Sequence, residues 1–129
     1  MSDIPGDLLY TEDHEYLKPT DDPAVFQVGI TDYAQGELGD IVYLELPSAG
    51  SKYGKHDVFG TIEAVKAVSE LFSPAAGEIV DVNKRLDQEP ALVNTSPYDD
   101  GWMVKMRLSS PKDRSGLLTA DQYKAHIGQ

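Results

Sequence analysis

The chain contains no cysteine and no long uncharged apolar run, and it has half as many basic as acidic residues. The first absence excludes a disulfide scaffold, a cysteine nucleophile, a thiolate zinc site and a cysteine-held iron–sulfur cluster, so any redox sulfur would have to arrive on a cofactor. The second excludes a transmembrane helix. The third, 11 basic against 22 acidic residues and a net charge of −11, argues against binding to nucleic acid or anionic membranes. Eleven of the acids lie within residues 1–50 beside one base, Lys18, whereas residues 51–129 are nearly neutral. Such asymmetry keeps a protein soluble, and it also suits an acidic face that steers docking onto basic partners. The acid-rich start from Met1 lacks the pattern of a signal or transit peptide, which points to bacterial cytoplasm rather than the mitochondrial matrix.

At 129 residues the chain is sized for one domain, expected to span 1–129 with a core over about 9–109 and a helical segment over about 110–127. Short apolar runs broken by turn residues predict a mostly β protein. The strands fall at Leu8–Tyr10, Tyr16–Lys18, Val25–Ile30, Ile41–Leu46, Val58–Val65, Ala67–Phe72, Gly77–Val82 and Trp102–Leu108. Thr31 or Asp32 can cap a short helix running to Leu38, with Gly39 at its end. Thr119 and Gln122 form a capping-box pattern for a helix over about 120–127, and Ser110-Pro111 offers another helix start.

No enzyme site is assembled in the sequence. His14, His56 and His126 are far apart in the chain and read as surface or loop histidines; no serine sits in a nucleophile elbow; Gly36-Glu37-Leu38-Gly39 is too short for a phosphate loop. Asn94-Thr95-Ser96 matches the glycosylation pattern but reads as a plain loop. One residue stands out locally. Lys66 is the only lysine or arginine between Lys55 and Lys84, in a stretch otherwise charged by Asp57, Glu63, Glu70, Glu78 and Asp81. If the chain reverses at Lys66, Glu63 faces Ser69 and the ammonium projects from a hairpin tip. Taken alone, Lys66 reads as an ordinary exposed lysine compensating nearby acids, since Val65-Lys66-Ala67 lacks the Gly, Asn or Asp of tight hairpins.

Four ordered segments carry a resemblance: YTEDHEYLK (10–18), VGITDYAQGELGDIVYLELPSAG (28–50), FGTIEAVKAVSELFSPAAGEIVDVN (59–83) and NTSPYDDGWMVKM (94–106). Together they resemble the H-protein family of the glycine cleavage system. That family's lipoylation motif, Glu-Ser-Val-Lys-Ala, falls on Glu63-Ala64-Val65-Lys66-Ala67. The resemblance implies a barrel-sandwich hybrid of two antiparallel sheets with short helices and a C-terminal helix, and lipoate attached to Lys66, with Glu63 and Ala67 as flanks of the attachment motif. It further implies a carrier rather than an enzyme, taking the aminomethyl group of glycine from a pyridoxal-phosphate glycine decarboxylase to a tetrahydrofolate-dependent aminomethyltransferase. Dihydrolipoamide dehydrogenase would reoxidise it, and a lipoate ligase or lipoyl transferase would modify it.

In the family the loaded arm folds back into an acidic surface cleft. The resemblance places that role on Glu15 and Glu70, with Tyr33 beside them. Three residues depart from the family pattern: Tyr16 for the usual Trp, where it would keep an aromatic wall, Ala64 for Ser, and Tyr33 for a common His. The departures at Tyr16 and Tyr33 motivate an alternative, an H-like lipoate-relay or binding protein outside glycine cleavage. A lipoyl or biotinyl domain detached from a larger complex fits less well, since such domains lack the HEY and SPYDDGW segments.

Overall fold

The computed structural model describes residues 3–113 and 115–129. Met1, on which the reading of location leaned, lies outside the described residues. Nine strands alternate with short helices: β1 Leu9–Tyr10, β2 Glu15–Pro19, β3 Val25–Ile30, β4 Ile41–Glu45, β5 Lys52–Tyr53, β6 Val58–Ala64, β7 Val68–Phe72, β8 Gly77–Val82 and β9 Val104–Leu108. The α-helices are α1 Asp32–Leu38, α2 Leu92–Thr95 and α3 Ala120–His126, and a 3-10 turn covers Lys84–Asp87. All pairings are antiparallel. A six-stranded sheet runs β1-β2-β3-β9-β8-β5, and a second sheet runs β4-β6-β7.

The main core lies between the sheets, where Leu17, Val28, Ile62, Leu71, Ile79, Val104 and Met106 are nearly or fully excluded from solvent. A second cluster gathers Ile4, Leu8, Tyr10, Tyr16, Tyr98, Ala120 and Tyr123. The alternation of side chains along a strand divides β2 between the two. Leu17 faces the main core, whereas Tyr16 belongs to the tyrosine cluster. Opposite it, Gly29 leaves room for the Tyr16 ring; a Cβ there would lie 2.9 Å from a ring carbon.

Helix α1 matches its predicted span. Thr31 caps it by accepting from the Ala34 amide, and Gly39 ends it at φ 84°, its N–H donated to the Gln35 carbonyl. Thr119 and Gln122 close the expected capping box on α3. The start at Ser110-Pro111 is not used: no helix covers residues 110–113 or 115–119, where turns lead to a bridge at Leu118, so the C-terminal helix is confined to Ala120–His126. Strand β5, hidden within a Gly/Ser/Lys-rich segment, is held by pairing with β8 rather than by its own pattern.

Asn94 is not a plain loop residue. It sits in α2, where its Oδ1 accepts from the Ile41 amide (2.9 Å) and its Nδ2 donates to Gln35 Oε1 (2.8 Å) and to the Gly39 carbonyl (3.0 Å). One side chain thus fixes the passage from α1 into β4. Asn94→Ala strands these backbone partners and is expected to cost roughly 2–3 kcal/mol, measured by urea denaturation.

Candidate functional site

Strands β6 and β7 form a hairpin whose end is closed by the Ala64 amide donating to the Ala67 carbonyl (2.7 Å), with Val65 and Lys66 as its two loop residues. Glu63 therefore pairs with Val68, and Ser69 with Ile62. The expected pairing of Glu63 with Ser69 assumed an odd-numbered reversal centred on Lys66; an even two-residue loop shifts the register by one. That shift decides which side chains face the core. Ile62 and Ala64 are buried, and Glu63 points outward in a row with Tyr43 of β4 and Val68 of β7. Neither Val65 nor Lys66 has a positive φ, so the loop avoids the conformation that would have demanded glycine or asparagine.

The tip is tethered to the α1–β4 junction by the Val65 amide, which donates to the Asp40 carbonyl (3.1 Å). Lys66 is exposed, and its stem lies against Gly39: a Cβ added there would come within 3.3 Å of Lys66 Cε. Among the described residues no carboxylate forms an ion pair with its ammonium. Around it stand exposed apolar side chains, Val65 at 74% and Val68 at 67% exposure.

Beside this hairpin lies a cleft of about 290 Å³. Its walls come from the β1–β2 turn (Asp13, His14) and the first residue of β2 (Glu15), from α1 (Tyr33, Glu37, Leu38) and from β7 (Ser69, Glu70, Leu71). Glu15, Tyr33 and Glu70, singled out in the sequence, are thus brought to one cavity. Tyr16 is not: alternation turns it to the opposite face of β2, where its hydroxyl donates to the Pro97 carbonyl and its ring tilts against Tyr98. It builds no wall of the cleft. His14, read as a surface or loop histidine, does lie in the β1–β2 turn but is half-buried; its Nδ1 hydrogen-bonds the Tyr123 hydroxyl (2.8 Å), and its ring lies 5.3 Å from that of Tyr33. His14 precedes β2 and has a positive φ of 71°, so strand alternation does not govern its direction, and its place in the cleft follows from tertiary contacts. His56 and His126 do stay near the surface, the former 3.2 Å from Asp13.

Glu15 is only 2% exposed, yet no cation among the described residues pairs with it. Its Oε1 accepts from the Thr11 hydroxyl (3.0 Å) and its Oε2 from the Phe72 amide (3.3 Å). Burial pushes its carboxyl up to about 8; these two hydrogen bonds oppose the rise, and nearby Asp13 adds to it. The cleft therefore holds an acid that gains from a positive charge placed beside it. Because the folded-state value lies above the unfolded one, the folded protein holds the extra proton, and stability declines as pH rises from about 4.5 toward 8. Glu15→Gln is expected to flatten that decline, gaining on the order of 2 kcal/mol over the parent at pH 8 and little at pH 5, as read by urea denaturation at both pH values.

Comparison with known proteins places this arrangement. The model of the glycine cleavage H-protein family matches residues 8–129. The glycine cleavage system H protein of Chlorobaculum tepidum is 53% identical over 126 residues, covering 98% of both chains, and that of Salinibacter ruber is 50% identical over 121 residues, covering 94% of this chain and 96% of its own. The crystal structure of a glycine cleavage system H protein from Mycobacterium marinum superposes with a TM-score of 0.87 at 36% identity, covering 98% of this chain and all of that one. Its agreement with the two-sheet architecture supports the barrel-sandwich hybrid expected from the sequence. The chain belongs to the glycine cleavage H-protein family, the non-catalytic, lipoate-bearing carrier of that system.

Proposed function

We propose that Lys66 carries lipoate in amide linkage and that the cleft formed by Glu15, Tyr33 and Glu70 receives the loaded end of the arm. The observation that supports this most is the pairing of an exposed, unpaired lysine on a hairpin tip with an acid-lined cleft beside the same hairpin. Leu38 lines that cleft, and its neighbour Gly39 lies under the Lys66 stem, so the lysine stands at the rim. When attached, lipoate supplies a disulfide able to accept the aminomethyl group of glycine.

The chain's own residues provide presentation and shelter. The Val65–Asp40 tether and the Ala64–Ala67 closure hold the tip in one place, and exposed Glu63 and Ala67 leave the lysine accessible to a lipoate ligase or lipoyl transferase. Glu15 and Glu70 offer acceptors to a cationic amine, and Leu38, Ile62 and Leu71 give the same cleft an apolar floor that limits water. The proposed partners are the pyridoxal-phosphate glycine decarboxylase, the tetrahydrofolate-dependent aminomethyltransferase and dihydrolipoamide dehydrogenase, with bacterial cytoplasm as the setting. Of the two residues behind the lipoate-relay alternative, Tyr16 faces away from the cleft and only Tyr33 alters it.

Lys66→Arg keeps the charge but removes the acylable amine. The variant is expected to show no lipoyl adduct on its residue-66 peptide by mass spectrometry and only background glycine-dependent release of carbon dioxide with the three enzymes added. Undiminished turnover would overturn the assignment. A parent protein that is lipoylated yet takes no aminomethyl group from the decarboxylase would favour the relay reading.

A further inference from the structure

Helix α3 shares no residue with the cleft, but one of its side chains reaches both walls from behind. Tyr123 is fully buried and stacked on Tyr10, with ring centroids 4.8 Å apart and planes 11° from parallel. Its hydroxyl lies 2.8 Å from Thr31 Oγ1 and 2.8 Å from His14 Nδ1. Thr31 is the cap of α1, the helix that contributes Tyr33, Glu37 and Leu38 to the cleft; His14 lines the cleft from the β1–β2 turn. These walls also meet directly through the Thr31 amide, which donates to the His14 carbonyl (3.0 Å).

The Tyr123 hydroxyl is satisfied on both sides, donating to one of Thr31 Oγ1 and His14 Nδ1 and accepting from the other. Thr31 Oγ1 already accepts from the Ala34 amide, so its own hydrogen is free to go to the Tyr123 oxygen. In that direction the Tyr123 hydrogen goes to an unprotonated His14 Nδ1. In the reverse one, His14 Nδ1–H donates to Tyr123 and Tyr123 to Thr31 Oγ1, and either chain joins the same two walls. Burial and the neighbouring His126 both hold the His14 imidazole below its ordinary range, which matches a neutral ring in that role. The ring, so oriented, lies against Tyr33. A phenol in this place has the shape of phenylalanine plus one oxygen, and that oxygen is the only part of α3 bonded to the cleft-forming elements Thr31 and His14 among the bonds of the described residues.

Resting on the cleft reading above, we propose that Tyr123 is a positioning residue of the cleft: by joining the cap of α1 to His14, its hydroxyl lets the C-terminal helix set how long the cleft shelters a loaded arm. The residue touches neither the arm nor the reacting atoms. It acts by fixing the separation and orientation of two walls, so its loss leaves attachment of lipoate and encounter with the decarboxylase intact while opening the shelter to water.

The test uses the full-length lipoylated chain with Tyr123→Phe, which retains the stack on Tyr10, beside Thr119→Ala, which weakens α3 through its capping box without touching the phenol. Each protein is loaded by the decarboxylase, separated from it, and followed for spontaneous release of ammonia and formaldehyde; amide hydrogen exchange of α1 is measured on the unlipoylated forms. Tyr123→Phe is expected to lipoylate normally, to exchange the Gln35 and Gly39 amides faster, and to lose its cargo about three- to tenfold sooner, as the loss of one buried hydrogen bond dictates. Thr119→Ala, compared at equal distance below its melting temperature, is expected to keep the parent lifetime. An unchanged lifetime in Tyr123→Phe, or an equal shortening in Thr119→Ala, overturns the proposal while leaving the cleft in place. A parent protein whose cargo is lost as fast as from free lipoamide overturns the cleft reading and this inference together.

Discussion

The carboxylate of Glu15 is where the two sheets meet. It belongs to β2 of the larger sheet, and through Oε2 it takes the Phe72 amide at the end of β7, an edge strand of the smaller one. A buried carboxylate without a cation is costly, and a fold keeps one only where neighbouring donors or a ligand repay the desolvation. Here the donors are a threonine hydroxyl and one amide, which recover part of that cost. The shortage is what defines the cleft chemically: His14 and Tyr33 beside it bring no fixed positive charge, and Asp13, Glu37 and Glu70 add negative ones. The acidity of residues 1–50 has a local meaning in this arrangement, because the β1–β2 turn and α1, both from that segment, supply two of the three walls.

Behind the cleft, the tyrosine cluster does a different job from the aliphatic core. Tyr10, Tyr16, Tyr98 and Tyr123 pack as large apolar bodies, and each hydroxyl finds a partner: the Pro5 carbonyl, the Pro97 carbonyl, the Asp3 carbonyl together with the Asp32 amide, and the Thr31–His14 pair. Burial pushes all four phenols up from their ordinary range, so they stay neutral donors throughout physiological pH. Aliphatic residues would have filled the space equally well. The phenols additionally fasten the N-terminal segment, α1, the 97–101 turn and α3 to one another with directional bonds.

Local chemistry was legible in the sequence wherever it alone decides the outcome. The Thr31 cap, the Gly39 stop and the Thr119–Gln122 box each rest on a few adjacent residues, and each is formed as read. Strand existence was legible from alternation, but pairing order was not, because β3 joins β9 across more than seventy residues that carry no mark of the partnership. The hairpin register at Lys66 was misread for a related reason: loop length by one residue depends on the tether from Val65 to Asp40, a contact outside the hairpin. Asn94 and His14 escaped because their roles are entirely tertiary. The family motif brought out Lys66, Glu15 and Glu70, while composition alone left Lys66 an ordinary surface lysine.

The larger sheet ends, at both margins, in strands of two residues: β1, whose Tyr10 is further bridged to Leu118, and β5. An open sheet margin is a template on which another chain can crystallise its own backbone, and the hazard grows with the length of the unpaired ladder. A carrier component has to meet partner enzymes of its system, and self-recruitment along a sheet margin would compete with that. Two-residue margins leave too few dangling amides to hold a copy. The short strands that look like failures of β structure thus serve as insulation for the larger sheet.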